Sequence, residues 1–211
     1  SGSQWGNNNI FHPNEEVNAT SSYEIRDRYS AALSWKHDLF GDLDTTVSAF
    51  FESRSGRPYS YVFDNDANGD SRFGNDLLYI PMGPGDVVFG SAAEEAGFWA
   101  YVESNDYLNS HRGEVAARNG DRAKDVSQFD VRVSQELPGF FGDNKAEVWM
   151  DILNFGNLLN KDWGKIEEVA FPGSLGVVEY GGIDAATGRY VYRFNSPDTT
   201  RIYDDRGISR W

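Results

Sequence analysis

The sequence contains no cysteine. That absence removes disulfide frameworks, zinc–thiolate sites, redox dithiols and thiol nucleophiles. Nowhere do about 18 apolar residues run together, so there is no candidate transmembrane helix. A barrel strand needs only about ten residues of alternating character, so this lack does not bear on a β-barrel. Histidine is scarce: His12, His37 and His111 stand apart and form no H-E-x-x-H pair. No G-x-S-x-G elbow and no Walker A loop occur. Positive charge is also short, with 19 Lys and Arg against 33 Asp and Glu and a net charge of −14. A chain this acidic repels phosphate backbones, so nucleic acid is not an expected partner. Among so many acids no particular carboxylate pair stands out as a glycosidase site, and no catalytic activity is expected.

What is present favours strands and turns. Aromatic residues make up 15% of the chain and glycine is abundant, a mixture that suits sheets better than helices. Four segments alternate with period two. From Tyr23 to His37 one side reads Tyr23, Ile25, Asp27, Tyr29, Ala31, Leu33 and Trp35. The other reads Glu24, Arg26, Arg28, Ser30, Ala32, Ser34 and Lys36. From Thr45 to Ser53, Val47, Ala49 and Phe51 oppose Thr46, Ser48 and Glu52, with Phe50 out of pattern. From Ser127 to Leu137, Phe129, Val131, Val133 and Leu137 oppose Asp130, Arg132 and Glu136. From Lys145 to Phe155, Ala146, Val148, Met150 and Ile152 oppose Glu147, Trp149 and Asp151.

The connections alternate in length. Asp38–Asp44 and Pro138–Asn144 are hairpin-length turns carrying the matched triplets Phe40-Gly41-Asp42 and Phe141-Gly142-Asp143. Long segments separate the second strand from the third and follow the fourth. Short turns at one end and long loops at the other describe outer-membrane barrels, and Trp35, Phe40, Phe140 and Phe141 gather at the short-turn end as interface aromatics would. Within the long segments, Ser91–Ser104 and Tyr107–Asn119 read as helices. Val177–Tyr180 and Arg189–Phe194 read as a hairpin around Gly181–Gly188.

On this reading Glu24, Arg26, Arg28, Asp130, Arg132, Glu136, Glu147 and Asp151 face a barrel lumen. Tyr23, Ile25, Tyr29, Leu33, Trp35, Phe129, Val131, Val133, Val148, Met150 and Ile152 face lipid. The ordinary alternative is a sheet with one solvated face.

Asp64-Asn65-Asp66-Ala67-Asn68-Gly69-Asp70 matches the D-x-[DN]-x-[DN]-G opening of a calcium loop. Its candidate ligands are Asp64, Asp66, Asn68, Asp70 and Asp76, with Ca²⁺ the only cofactor expected. Position twelve, normally Glu, is Asn75. A metal-free Asx-rich turn would use the same residue types.

Three stretches together resemble the Oar-like TonB-dependent receptors. They are Ser55–Tyr61 followed by the Asp-rich loop and Asn75–Pro81, then Phe129–Gly139, and Asp151–Gly164. The likeness runs from about Asn14 to Trp211. It implies an all-β fold: an incomplete antiparallel segment of a transmembrane barrel of about 22 strands, with short helices in a long extracellular loop. It further implies a Gram-negative outer-membrane location, energised transport, and partnership with lipid, a plug domain, TonB and a substrate of unspecified class. Residues 1–211 are then the C-terminal part of such a barrel, with plug, upstream strands and last strand outside it. The rival expectation is a soluble secreted β-domain that binds calcium and carbohydrate.

Overall fold

The computed structural model describes residues 8–15, 18–142, 144–161, 163–195, 197 and 200–204. The described chain is mostly β, and it divides into two compact units. Asp143, Asp162 and the terminal segment Gly207–Trp211, all used in the sequence reading, lie outside the described residues.

One unit holds Ile25–Gly56 and Lys124–Glu167. Its centre is a four-stranded antiparallel sheet of β1 (Arg28–Phe40), β2 (Leu43–Arg54), β6 (Val126–Pro138) and β7 (Lys145–Ile152), in the order β1-β2-β6-β7. Strands of 12 and 13 residues are about twice the usual length. The register decides which residues share a face. Leu33 pairs Ala49, Ala49 pairs Val131 and Val131 pairs Ile152, a complete apolar row across the sheet. Trp35, Val47, Val133 and Met150 form the next. Ala31, Phe51 and Phe129 form a third. The opposite face carries Ser34, Ser48, Arg132 and Asp151 in one row, and Lys36, Thr46, Ser134 and Trp149 in another. Phe50, which breaks the pattern, lies between Ala32 and Asp130 on this polar face.

Several boundaries differ from the sequence reading. Tyr23–Asp27 alternate as well as their successors but lie outside β1. The pairing of β1 with β2 ends at Arg28 and Arg54, so earlier residues have no strand beside them apart from the exchange between Asp27 and Ser55. The first turn is tighter than seven residues. β1 continues to Phe40, leaving Gly41 and Asp42 as the loop, with Gly41 at φ +67° where a Cβ is disfavoured. In the second turn Gly139 donates its N–H to the Asn144 carbonyl at 2.7 Å, and a Cβ at Gly139 would overlap that carbonyl.

The other unit holds Arg57–Ala123 and Glu168–Arg201 with residues before Ile25. Its sheet runs β4-β10-β9-β3-β5, from β3 (Pro58–Phe63), β4 (Val88–Phe89), β5 (Asp121–Arg122), β9 (Ser174–Ile183) and β10 (Tyr190–Arg193). β9 and β10 form the expected hairpin. β3 pairs parallel with β9 and is buried along its whole length. Helix α1 (Ala92–Ser104) begins on Ser91, whose hydroxyl accepts the Glu94 N–H at 3.2 Å. It sets Phe98 against Phe89, Trp99, Tyr192 and Phe194.

The second helix is shorter than its sequence suggests. α2 (Asp106–Ser110) stops at His111. Beyond it Gly113 and Ala116 donate N–H groups to the Ile80 and Leu78 carbonyls, and Ile80 donates to the Glu114 carbonyl, so sheet-like pairing takes those groups from a helix. A third helical turn, α3 (Gly156–Leu159), follows β7, and β8 (Lys165–Glu168) pairs with β11 (Arg201–Asp204).

The core of this unit is rich in tyrosine, and each buried hydroxyl has a partner. Tyr59 and Tyr61 both donate to Asp121 Oδ2, at 2.8 and 2.7 Å, and Tyr61 accepts from Asn105 at 2.6 Å. Burial lifts both phenols well above their ordinary range. Tyr192, fully buried, donates to the Tyr79 carbonyl at 2.7 Å.

Two outcomes are expected. Phe98→Ala empties a fully buried ring site, so urea unfolding should show a loss of about 3–5 kcal/mol. Burial, with the Asp86 carboxylate accepting its O–H, pushes Tyr79 up to about 12. The folded state therefore favours the protonated phenol. This stabilisation is full below about pH 10, where the unfolded phenol begins to titrate, and is lost as pH rises through about 12. The tyrosinate absorbance difference between wild type and Tyr79→Phe should titrate near pH 12, and a midpoint near pH 10 would contradict it.

Candidate functional site

The Asp-rich loop connects β3 to the buried segment that starts at Asn75. Both ends are tied to the sheet. Asp64 N–H donates to the Val178 carbonyl at 2.9 Å, and Phe63 N–H donates to the Asp76 carbonyl at 2.8 Å. Asn65 extends the pairing with its side chain, donating to the Tyr180 carbonyl and accepting the Tyr180 N–H, both at 2.8 Å.

Within the loop the polar side chains turn inward onto main-chain N–H groups. The Asp66 carboxylate accepts from Gly69 (2.7 Å), Asp70 (3.1 Å) and Ser71 (2.8 Å). Asn68 Oδ1 accepts from Asp70 at 3.0 Å, and Asp70 Oδ1 from Arg72 at 2.9 Å. These are Asx turns in series. Ser71 takes φ +67°, a left-handed value unusual for a non-glycine residue. Asp76, 1% exposed, lies beneath the loop, and its Oδ2 accepts from Ala67 (2.5 Å) and Asn68 (3.1 Å). Its Oδ1 and the Oδ1 of neighbouring Asn75 are buried without any hydrogen-bond donor. Burial raises the Asp76 carboxyl above its ordinary range and the Asp70 and Asp66 charges add to this, while the two N–H bonds pull the other way.

Of the five ligands read from the spacing, Asp66, Asn68, Asp70 and Asp76 belong to this one cluster of contacts. Asp64 is exposed at the strand end. Asn75, which the spacing placed at the weak twelfth position, is buried and donates to Asp70 Oδ2 at 3.2 Å. Among the described residues no three His, Cys, Asp or Glu side chains converge into a metal cluster.

The sheet residues divide by face. Tyr29, Leu33, Trp35, Val148 and Met150 share the apolar face and are exposed, at 66, 73, 48, 53 and 58%. Val131, Val133 and Ile152 share it between them. Phe129 is on the same face but packs against Phe155, with ring centroids 6.0 Å apart. On the polar face Arg132 forms a two-point ion pair with Asp151, and Arg28 pairs with Glu52 at 2.5 Å. Lys145 bridges Glu136 at 2.6 Å and the Asp42 carbonyl at 3.0 Å, and Lys36 pairs with Asp44. Glu147 stands directly across from Glu136. Asp130 caps the turn after β7 by accepting the Asn154 N–H at 2.7 Å. Tyr23, Glu24, Ile25 and Arg26 precede the strand and belong to neither face. Glu24 pairs with Arg122 and Arg26 with Asp27.

No protein-family model, curated protein or solved structure matches this chain.

Asn65 was missed in the sequence as anything but a filler between two aspartates. Asn65→Ala leaves the half-buried Tyr180 N–H and carbonyl unpaired at that point, so a loss of about 2 kcal/mol in urea unfolding is expected. A change within about 0.5 kcal/mol would show that water replaces both bonds.

Proposed function

We propose that this chain is part of an outer-membrane β-barrel of the TonB-dependent receptor type, acting in binding and passage of a substrate and not in catalysis. The observation that carries the reading is the uncovered apolar face of the four-stranded sheet. Three apolar rows, two complete across the four strands and one across β1, β2 and β6, are bounded by Tyr29 on one side and the His37–Thr45–Gln135–Val148 row on the other. That stripe is roughly 27 Å of strand at about 3.4 Å per residue. A tilt of about 40° reduces it to roughly 20 Å, close to the apolar band of about 25 Å on such barrels.

Three further features support it. Both hairpin tips lie at the same end of the sheet, and they present Phe40, Phe140 and Phe141 at 66, 91 and 80% exposure. Rings half in water and half in hydrocarbon suit that position. Both long excursions leave from the opposite end, after Arg54 and Ile152. The second face is lined by ion pairs and hydroxyls, with a hollow of about 650 Å³ along Ser34, Ser48, Arg132 and Asp151. On this reading β1 and β7, the sheet's two edges, pair outward with further strands of a closed barrel. The second unit is then the part of the chain that meets the substrate.

The test compares two substitutions on neighbouring positions of β1, made in the barrel that this reading completes with further strands and refolded with phospholipid vesicles. Leu33→Arg puts a charge in the middle apolar row and is expected to destabilise the inserted state by about 2–4 kcal/mol. Ser34→Arg, on the other face, should insert like wild type. Vesicle flotation and urea unfolding read both. If wild type stays in the aqueous fraction, or both variants behave alike, the membrane reading fails and a water-soluble β-domain takes its place.

A further inference from the structure

The strongest unexplained feature of the molecule is a pair of buried oxygen atoms with nothing to bind. Asp76 Oδ1 and Asn75 Oδ1 are both acceptors, side by side in sequence, in residues 1 and 7% exposed. A buried acceptor without a donor costs free energy, and more so when it carries charge. Around them stand Asp66, Asn68 and Asp70, and no lysine or arginine ion pair involves Asp66, Asp70 or Asp76 among the described bridges. Asn68 Nδ2, a donor in the same loop, is also buried without a partner.

We infer that the loop Asp66–Asp76 is a calcium site whose ligands are Asp66, Asn68, Asp70, the Arg72 carbonyl, Asn75 and Asp76. The spacing of alternate oxygens at 66, 68, 70 and 72 is that of positions one, three, five and seven of a calcium loop. Position six of such a loop makes the sharp turn, and here it is Ser71 at φ +67°. The frame beginning at Asp64 has the same spacing, but the N–H groups decide against it. Those of Ala67 and Asn68 are held by Asp76, and those of Gly69, Asp70 and Ser71 by Asp66, so the chain is wound around Asp66.

Calcium fits the donor set better than other ions. It takes six to eight hard oxygens and mixes carboxylate, amide and main-chain carbonyl freely, so Asp66, Asp70 and Asp76, which form no ready-made metal cluster among the described residues, would close on the ion together with two amide oxygens and a carbonyl. Magnesium requires a tighter octahedron. There is no thiolate, and His12 is the only imidazole near the loop, so nothing here favours zinc. A hollow of about 200 Å³ bordered by Asn68, Asp76, Tyr180 and Tyr190 gives the ion a way in. The inference does not depend on where the four-stranded sheet resides.

The experiment uses the full chain in detergent, calcium-stripped and then titrated with calcium or magnesium chloride by calorimetry. Terbium luminescence sensitised by Tyr180 and Tyr190 is the second readout. One calcium per chain is expected, with a Kd of about 0.1–1 mM as in extracellular modules and magnesium at least ~10-fold weaker. Asp70→Asn keeps the oxygen that binds the Arg72 N–H but removes a charge, and should weaken calcium at least ~10-fold. Asp76→Asn should do the same, with circular dichroism like wild type. Asp184→Asn, an acid in the exposed turn after β9, should change nothing. Absence of heat and of luminescence in folded wild type overturns the proposal. So does unchanged calcium affinity in Asp70→Asn. If the chain proves water-soluble yet binds calcium, the membrane reading falls and this one stands.

Discussion

The pairing of β2 with β6 is the constraint from which the four-stranded sheet follows. The two strands are separated by the whole Arg57–Ala123 segment, so no turn sets their register. Side-chain alternation sets it. A slip of one residue would put Arg132 beside Ala49 and Val133 beside Ser48, mixing charge into the apolar rows. Polar pairs pin the register at both ends, with Thr45 bonded to Gln135 and Ser53 to Ser127. β1 and β7 are then attached by local hairpins and inherit the alignment. The coincidence of both aromatic tips at one end is a consequence of this single long-range match.

The sequence makes that part of the fold legible because one-sided strands write their environment into period two. β1, β2, β6 and β7 were each found, with errors confined to their ends. The start of β1 was misplaced because alternation reports a side chain's preference and not the presence of a neighbouring strand. Glu24 answers to Arg122, and Arg28 is the first residue with a partner on β2. β3 left no such trace. A strand buried on both faces reads as Pro-Tyr-Ser-Tyr-Val-Phe, without alternation, and its parallel partner β9 lies far along the chain. The second helix was overextended for a related reason. Its sequence tolerates a helix, but the carbonyls of Leu78 and Ile80 compete for the same N–H groups.

The two units deal with apolar surface in opposite ways. The inserted unit encloses Tyr61, Leu78, Ile80, Phe98, Val102 and Tyr192 at 0–1% exposure, and each buried phenol is tied to a carboxylate, an amide or a carbonyl. In the same interior Asp76 Oδ1, Asn75 Oδ1 and Trp99 Nε1 are buried without a partner. The four-stranded sheet leaves Leu33, Trp35 and Met150 exposed, with Phe129 against Phe155 towards one end and Trp35 against the His37 ring towards the other. A single layer with one oily face is unstable in water unless something covers it. Its ion-paired opposite face gives no comparable driving force, because exposed ion pairs are screened. The covering phase, whether hydrocarbon or further protein, is therefore part of what holds this sheet in shape.

The Asp-rich loop shows why spacing alone leaves the frame of a candidate cation site open. Oxygen-bearing residues at 64, 66, 68 and 70 offer two overlapping frames, and each has a residue at its sixth place with positive φ, Gly69 or Ser71. Sequence cannot choose between them, because the choice lies in which carboxylate the successive N–H groups point to. Once Asp66 takes Gly69, Asp70 and Ser71, Asp76 is left under the loop with one oxygen engaged and one not. The same residue's carbonyl receives Phe63 N–H from β3, while Asn65 clamps Tyr180 of β9. Neutralising Asp76 with a bound ion would therefore act on the junction of the two central strands as well as on the loop. A buried charge that is costly by itself would become, with a cation beside it, a fastening between the loop and the sheet that carries it.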